Sequence, residues 1–317
     1  MPLPDPQPLV HARHAARNQL GARRGGARSI FMTPLTLSGT SGQSPQTFPA
    51  LLDLLESRPQ PALTWYGGAD AERVELSGRV LQNWAVKLIG LFSQETELEP
   101  GDTVLVDAEA HWKAAAVLLA AGALGWEVEL TASGDAETGA EHTDDDARAS
   151  AAAALAPALI ITDRPGDWTG SGVLAQSLGE AELAALSPGL LDASYEEATG
   201  EALPAWVLDI SAEVRQHPDQ LPAPLPPVEL PVAQELTGVA SPPAGLVLAG
   251  APPQVDWQDW NVDRWGAGVE ATGPAGVVVF AQMLDAWAHS RPVVLFQGDP
   301  AAQPAAWEQL IRNEGVR

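Results

Sequence analysis

The 317-residue sequence contains no cysteine, only two lysines, and no apolar run of the roughly 18 residues that a transmembrane helix needs. Without cysteine there is no disulfide framework, no thiolate metal site and no cysteine nucleophile. No charged-then-apolar secretory signal opens the chain. These absences predict a cytoplasmic protein that does not insert into membranes.

Positive charge is also scarce, with Lys+Arg 17 against Asp+Glu 41 and a formal net charge of −24. Nucleic-acid phosphates and anionic membrane surfaces carry the same sign, so we expect neither as a partner. The hydrophobic content of 45% is enough for a sizeable core and argues against disorder throughout.

The first 45 residues depart from this composition. Residues 1–31 hold five arginines and a single acid, Asp5. Such an arm is typical of a targeting peptide or an interaction tail, but a disordered extension, translated upstream of a natural start at Met32, is the simpler interpretation. Ser38–Pro45 is similar to a phosphate-binding loop, but no strand precedes it and no lysine follows. We therefore predict a flexible arm over residues 1–45, basic to about residue 31.

The stretch from Leu98 to Leu130 has the clearest pattern, a turn followed by strand, helix and strand. Thr103–Val106 is typical of a buried parallel strand, and His111–Leu124 is rich in helix formers up to Gly125. This βαβ unit predicts an α/β fold with a mostly parallel sheet and flanking helices.

The flanking segments extend the alternation of helices and strands. Before this unit we predict a helix from Thr47 to Leu55, a hairpin of Ala62–Tyr66 with Arg73–Leu76, and a helix capped by Ser77. After the unit we predict the following elements: a helix over Ala147–Leu155, a strand over Ala158–Asp163, a helix over Glu180–Leu186, a strand over Gly245–Leu248, a helix over Ala275–Ala288, a strand over Pro292–Phe296 and a helix over Ala301–Glu314.

A proline-rich stretch interrupts this alternation, with Pro222, Pro224, Pro226 and Pro227 within six residues. It excludes a helix or an interior strand and predicts a surface crossing or a subdomain boundary. The expected organisation is therefore the flexible arm (1–45), an α/β core (46–217), a proline-rich connection (218–256) and a second α/β portion of the same domain (257–317).

Three features could carry chemistry, each with a simpler interpretation. Thr162-Asp163 would lie at the carboxyl end of a strand, where α/β proteins bind ligands, but an aspartate there is also an ordinary turn residue. His142–Asp146 could hold a hard cation, although a solvated surface is favoured. Trp257, Trp260 and Trp265 could form a ligand platform, although packing is the commoner use of tryptophan.

No motif of a known catalytic or nucleotide site is present. The six histidines, at positions 11, 14, 111, 142, 217 and 289, form no recognisable ligand pair. We therefore predict no catalytic residue and no metal ligand, and leave cofactor-binding residues unassigned. An unrelated enzyme built on a carboxylate pair stays open, because such a pair needs no sequence motif.

The chain resembles the N-terminal region of the adenylate-forming superfamily, the AMP-binding, acyl-CoA-synthetase-like proteins, and is most similar to a short, truncated bacterial branch of unassigned function. The segments that carry the resemblance, in order, are Pro61–Tyr66, Val74–Ser77, Leu98–Val104, Ala116–Gly122, Leu159–Asp163 and Trp307–Arg317. The resemblance implies an α/β fold like a truncated N-terminal domain of these enzymes, and ATP or AMP as a cofactor by resemblance only.

The departures from the family are as informative as the matches. The family's Ser/Thr/Gly-rich phosphate loop with a lysine has no counterpart in Arg164–Gly172, and the only lysines are Lys87 and Lys113. The small C-terminal catalytic domain would lie beyond Arg317. No catalytic residue of the family can therefore be assigned to a position in this chain.

Two functions follow from this comparison. The first is a catalytically silent AMP-dependent synthetase/ligase-like protein that binds a small molecule or a protein. The alternative is an AMP-forming acyl ligase completed by a partner chain. In a fold that stops at Arg317, uncovered apolar surface would favour a homo-oligomer or a partner protein.

Overall fold

The computed structural model describes residues 44–67, 72–130, 141–187, 189, 191–230, 246–248, 275–297 and 303–314. All of them belong to one unit, Gln43–Arg317. The predicted flexible arm up to residue 43 and the three clustered tryptophans lie outside the described residues. The domain boundaries stay predictions.

The described residues form ten α-helices and nine β-strands. The helices are α1 Phe48–Glu56, α2 Gly78–Glu95, α3 Trp112–Leu124, α4 Glu141–Leu155, α5 Pro165–Thr169, α6 Val173–Ser177, α7 Tyr195–Thr199, α8 Ile210–Glu213, α9 Ala275–Ala288 and α10 Pro304–Asn313, with a 3₁₀ turn at Val214–Gln216. The strands are β1 Pro61–Gly67, β2 Glu72–Ser77, β3 Thr103–Asp107, β4 Glu127–Leu130, β5 Leu159–Thr162, β6 Glu182–Ala185, β7 Leu208–Asp209, β8 Leu246–Leu248 and β9 Val293–Phe296.

Five strands form a parallel sheet in the order β4-β3-β5-β6-β7. The predicted unit of strand, helix and strand is present as β3, α3 and β4, with Val104 opposite Val128. The predicted α/β fold with a mostly parallel sheet is therefore confirmed.

Two glycines form turns of this unit, one before β3 and one between α3 and β4. Gly101 has φ of +96° in the turn before β3, and Gly125 has φ of +82° at the C-cap of α3, where its N–H bonds back to the last helical turn. Only glycine adopts such backbone angles without strain. The turn and the helix end are therefore encoded locally.

The second sheet has the order β2-β1-β9-β8, in which β1 runs antiparallel to β2 and parallel to β9. Its β9 comes from the far end of the chain, so Tyr66 of β1 lies opposite Phe296. Helix α3 lies in the core shared by the two sheets, and every side chain from Trp112 to Ala123 is buried. A helix that is apolar all round needs such a position.

The predicted helix over Glu180–Leu186 is wrong, because this segment forms strand β6. Alanine and leucine favour helices in isolation, but Leu183, Ala184 and Ala185 are buried in a strand paired with both β5 and β7. Tertiary pairing overrides the local propensity here.

Helix α4 starts earlier than predicted, at Glu141 rather than Ala147. The part of the acidic stretch that the structure describes is therefore helical and not a loop. Short elements α5 to α8 and β7 were not predicted.

The described part of the proline-rich segment lies along helices α1 and α2. Phe48 N–H donates to the carbonyl of Val228 at 2.9 Å, and Leu230 N–H donates to that of Gln46 at 2.8 Å. At its start, Lys87 donates to the carbonyl of His217 at 2.5 Å. As expected for so many prolines, these residues form no helix.

Candidate functional site

Loops from both sheets meet at the carboxyl ends of β3, β5, β6 and β9. They enclose a cavity of about 200 Å³, hereafter the junction cavity, lined by Ala108, Glu109, His111, Ala114, Asp163, Arg164, Leu186, Ser187 and Gln297. Ligands of open α/β sheets bind at this edge. We therefore take the junction cavity as the candidate functional site.

Long-range hydrogen bonds position the second sheet at this cavity. Gln297 follows β9, and its N–H donates to the carbonyl of Tyr66 at 2.7 Å, within the second sheet. The indole N–H of Trp65 donates to the carbonyl of Ala110 at 2.9 Å, joining β1 to the loop before α3. The Gln297 side-chain N–H₂ donates to the Glu109 carboxylate and joins the two walls of the cavity directly.

His111 is the N-cap of α3 and has one defined tautomer. Its Nδ1 accepts the backbone N–H of Lys113 at 3.1 Å, so the proton of the neutral ring lies on Nε2. Burial, together with the charge of Lys113, lowers the pKa of His111 to about 3, so the ring is neutral at pH 7. The ring packs edge-on against Trp65, with 4.5 Å between centroids.

The Nε2–H of His111 is buried and finds no acceptor within the described part of the chain. An unpaired buried donor costs about 1–3 kcal/mol relative to one that is hydrogen-bonded.

Asp163 follows β5 and presents two oxygens in different environments. Its Oδ2 accepts the backbone N–H of Glu109 at 2.8 Å. Its Oδ1 is buried and has no hydrogen-bond partner among the described residues, and Arg164 Nε lies 3.5 Å away. Burial raises the pKa of Asp163 to about 6, against the lowering effects of the Glu109 N–H and of Arg164.

A buried ion-pair network supports the cavity from behind, centred on Asp107 at the end of β3. Asp107 accepts from Arg148 Nε at 3.1 Å and from the indole of Trp168 at 2.9 Å, and Arg164 Nη2 lies 3.3 Å away. Burial alone would raise the pKa of Asp107, but Arg148 and these partners hold it at about 2. The network ties β3 to α4 and to the segment after β5.

Both lysines of the chain make internal contacts. Lys113 Nζ is buried and donates to the carbonyl and hydroxyl oxygens of Ser187 at 2.9 and 2.8 Å, with Asp192 at 3.3 Å. Burial lowers the pKa of Lys113, opposed by Asp192. Lys87 of α2 pairs with Asp219 at 2.5 Å. Neither lysine lines the junction cavity.

A larger cavity, of about 600 Å³, lies at the amino ends of β3, β5 and β6. Four carboxylates line it, those of Glu97, Asp102, Glu180 and Glu182. It lies at the edge opposite to that used by α/β ligand sites, and no unpaired buried polar atom of the described chain lines it.

The sequence and the structure agree only partly on the site. Thr162-Asp163 lies at a strand end as predicted, and the structure places His111 and Glu109 with Asp163 in the lining of one cavity. Of the acidic stretch at 142–146, Asp145 pairs with Arg148 in α4 at 2.9 Å. The segment Arg164–Gly172, which lacks the pattern of a phosphate loop, contains helix α5, and Trp168 of this helix is buried.

The sequence analysis missed His111, Glu109 and Gln297 as site residues. The available signal was their position, because Glu109 and His111 follow a predicted buried strand and Gln297 follows another. Sequence alone could not show that these two strands end side by side, since they lie in different sheets.

The described residues contain no group of three or more His, Cys, Asp or Glu side chains arranged to hold a metal ion. In the same part of the chain, no helix is long and apolar enough to cross a membrane.

The arrangement of two sheets around a shared central helix is similar to that of a solved acyl-CoA synthetase. An acyl-CoA synthetase from Brucella canis superimposes with a TM-score of 0.52 at 14% sequence identity, over 81% of this chain and 44% of that chain. The resemblance seen in the sequence is therefore confirmed at the level of the fold. The chain spans less than half the length of this structural neighbour.

At the level of sequence, the chain is similar to a protein from Mycobacterium tuberculosis (strain ATCC 25618 / H37Rv) described as "TIGR03089 family protein". The two are 34% identical over 191 residues, which is 60% of this chain and 63% of that protein. The chain thus matches less than two thirds of this relative. No protein-family model matches the sequence.

Proposed function

We propose that this adenylate-forming-ligase-like chain binds a small molecule in the junction cavity and does not itself catalyse adenylation. The observation that carries the proposal is the position of this cavity, at the carboxyl ends of β3, β5, β6 and β9, with the polar residues Glu109, Asp163 and Gln297 in its lining. A concave site with a few polar groups among apolar residues is typical of small-molecule binding.

Three features favour binding over adenylation. Transfer of an adenylyl group needs positive groups to neutralise the triphosphate. Both lysines are engaged elsewhere, and Glu109 and Asp163 place two carboxylates in the lining. The segment after β5 is a short helix beginning at Pro165 rather than a glycine-rich loop. These residues do not fit the phosphates of ATP.

The test combines a binding and an activity measurement on the full chain. We expect small polar molecules at 100 times their dissociation constant to stabilise the protein by about 2.7 kcal/mol, a rise of several degrees in Tm. Magnesium-ATP should give no shift and no acid-dependent exchange of pyrophosphate into ATP. Pyrophosphate exchange by the pure protein would refute catalytic silence, and a complete lack of small-molecule binding would refute the proposed binding role.

A further inference from the structure

The segment Pro224–Pro227, with the sequence Pro-Leu-Pro-Pro, has a backbone that proline largely fixes. Proline holds its own φ at about −65°, and the residue before a proline is restricted to extended backbone angles. Leu225 and Pro226 both precede a proline, and the structure shows no helix, strand or bend between Pro224 and Val228. The segment therefore makes one turn of a polyproline II helix, which has about three residues per turn.

The burial of the side chains follows this three-residue period. Pro224 and Pro227, one turn apart, are both exposed. Leu225 and Val228, also one turn apart, are half-buried and pack against the core. The turn therefore has an inner apolar face that is fixed to the domain and an outer face that presents two proline rings to solvent.

The domain holds the chain on both sides of this turn. On the N-terminal side, Lys87 pairs with Asp219 at 2.5 Å. On the C-terminal side, Phe48 N–H donates to the carbonyl of Val228 at 2.9 Å, and Thr47 forms a β-bridge with Glu229. A segment that is already ordered in its bound conformation loses little entropy on binding. The outer face is thus a preformed surface.

We propose that Pro224–Pro227 is a docking segment for a partner protein with an aromatic-lined groove and a basic rim. Such grooves bind prolines one turn apart in a polyproline II helix. The rim should be basic because the exposed acids Asp219 and Glu229 flank the segment, and no lysine or arginine lies between them in the sequence. The proposal is independent of the junction cavity and goes beyond small-molecule binding.

The experiment titrates the full chain with a purified SH3 domain, a fold whose aromatic-lined groove binds P-x-x-P segments. The domain is prepared in two forms, with acidic residues beside the groove in one form and lysines in the other. We expect saturable binding that is at least about tenfold tighter for the lysine form. A free P-x-x-P peptide that occupies the groove should displace the chain.

Two single variants test the outer face. Pro224→Ala and Pro227→Ala should each weaken binding by about tenfold, because each removes about two methylene groups that the groove would bury. Both prolines are exposed, so the Tm of either variant should change little. Pro59→Ala is the matched control, because it removes an exposed proline from the loop between α1 and β1 and should leave the affinity unchanged.

Three results would overturn the proposal. The first is a lack of binding to either form of the SH3 domain at millimolar concentration, and the second is binding that Pro224→Ala and Pro227→Ala leave unchanged. The third is self-association of the chain in sedimentation that Pro224→Ala abolishes, since this would assign the outer face to a contact between copies. None of these results bears on the junction cavity, which the panel of small polar molecules tests separately.

Discussion

At the scale of single residues, Asp107 and Arg148 form a buried ion pair. Asp107 is fully buried and Arg148 is 2% exposed, so neither charge is solvated by water. Removing two charges from water is expensive, and only several simultaneous hydrogen bonds compensate for it. Here Arg148 also reaches Asp145 and Asp167, at 2.9 and 3.0 Å.

Replacing one partner should therefore be severe. We expect Arg148→Met to destabilise the protein by about 3–5 kcal/mol, because it leaves the Asp107 carboxylate buried without its main partner. Arg312→Met is the control, since the Arg312–Glu308 pair is about two-thirds exposed on both sides and should contribute at most about 1 kcal/mol. Urea unfolding of both variants measures the difference, and equal midpoints would contradict this role for Arg148.

At the scale of elements, a glycine of helix α3 allows close contact with helix α1. Gly122 lies on the side of α3 that meets α1, and a Cβ at that position would overlap the ring of Phe48. The contact between the two helices therefore requires glycine for space and not for backbone angle. A pattern of small residues in a helix can indicate such a close approach, but it does not identify the partner helix.

Gly122→Ala should be destabilising although alanine is the better helix former. The gain of roughly 1 kcal/mol in helix propensity is outweighed by overpacking against Phe48, for which about 1–3 kcal/mol is typical. Gly166→Ala in α5 is the control, because a Cβ there meets nothing within 4 Å. Thermal unfolding should show a lower Tm for Gly122→Ala alone, and a Tm equal to that of Gly166→Ala would show that α1 can move aside.

At the scale of the whole molecule, two groups of the junction cavity oppose each other in the pH dependence of stability. The pKa of His111 is lowered from 6.5 to about 3, so the unfolded chain takes up this proton first and stability falls as the pH drops below 6.5. The pKa of Asp163 is raised from 3.8 to about 6, so the folded protein takes up this proton first and stability rises as the pH drops from 6 towards 4.

Substituting each of the two groups by asparagine should separate these effects. Each group contributes a slope of at most about 1.4 kcal/mol per pH unit, with opposite sign. Between pH 6 and 4, His111→Asn should gain stability relative to the wild type, whereas Asp163→Asn should lose it. Denaturant unfolding across this range gives both differences, and Glu109, Asp107 and Arg164, which surround Asp163, are common to all three proteins. Parallel curves for the three proteins would rule out the opposing roles.

The acidic composition acts at the same scale. A net charge of −24 opposes close approach of copies of the chain and of nucleic acid. Self-association or a protein partner stays a prediction, and sedimentation of the full chain at tens of micromolar is the measurement that decides it.

Much of the fold could be predicted because the signals are local. The βαβ unit, the hairpin, the cap at Ser77 and the helix end at Gly125 all follow from hydrophobic periodicity and from backbone preferences of neighbouring residues. Strand β6 was missed because its four residues carry the propensities of a helix and acquire their strand pairing only from β5 and β7. Short, fully buried segments give no periodicity by which to distinguish the two.

The sequence by itself determined the class of the fold, the scarcity of lysine and the resemblance to adenylate-forming enzymes, because each depends on residue types and their order. Only the tertiary structure decided the site. Asp163 follows His111 by 52 positions and precedes Gln297 by 134 positions. The three residues share one cavity because β3, β5 and β9 end at the same place. The hydrogen bond of Asp163 to the Glu109 N–H, 54 positions away in sequence, is also decided in three dimensions.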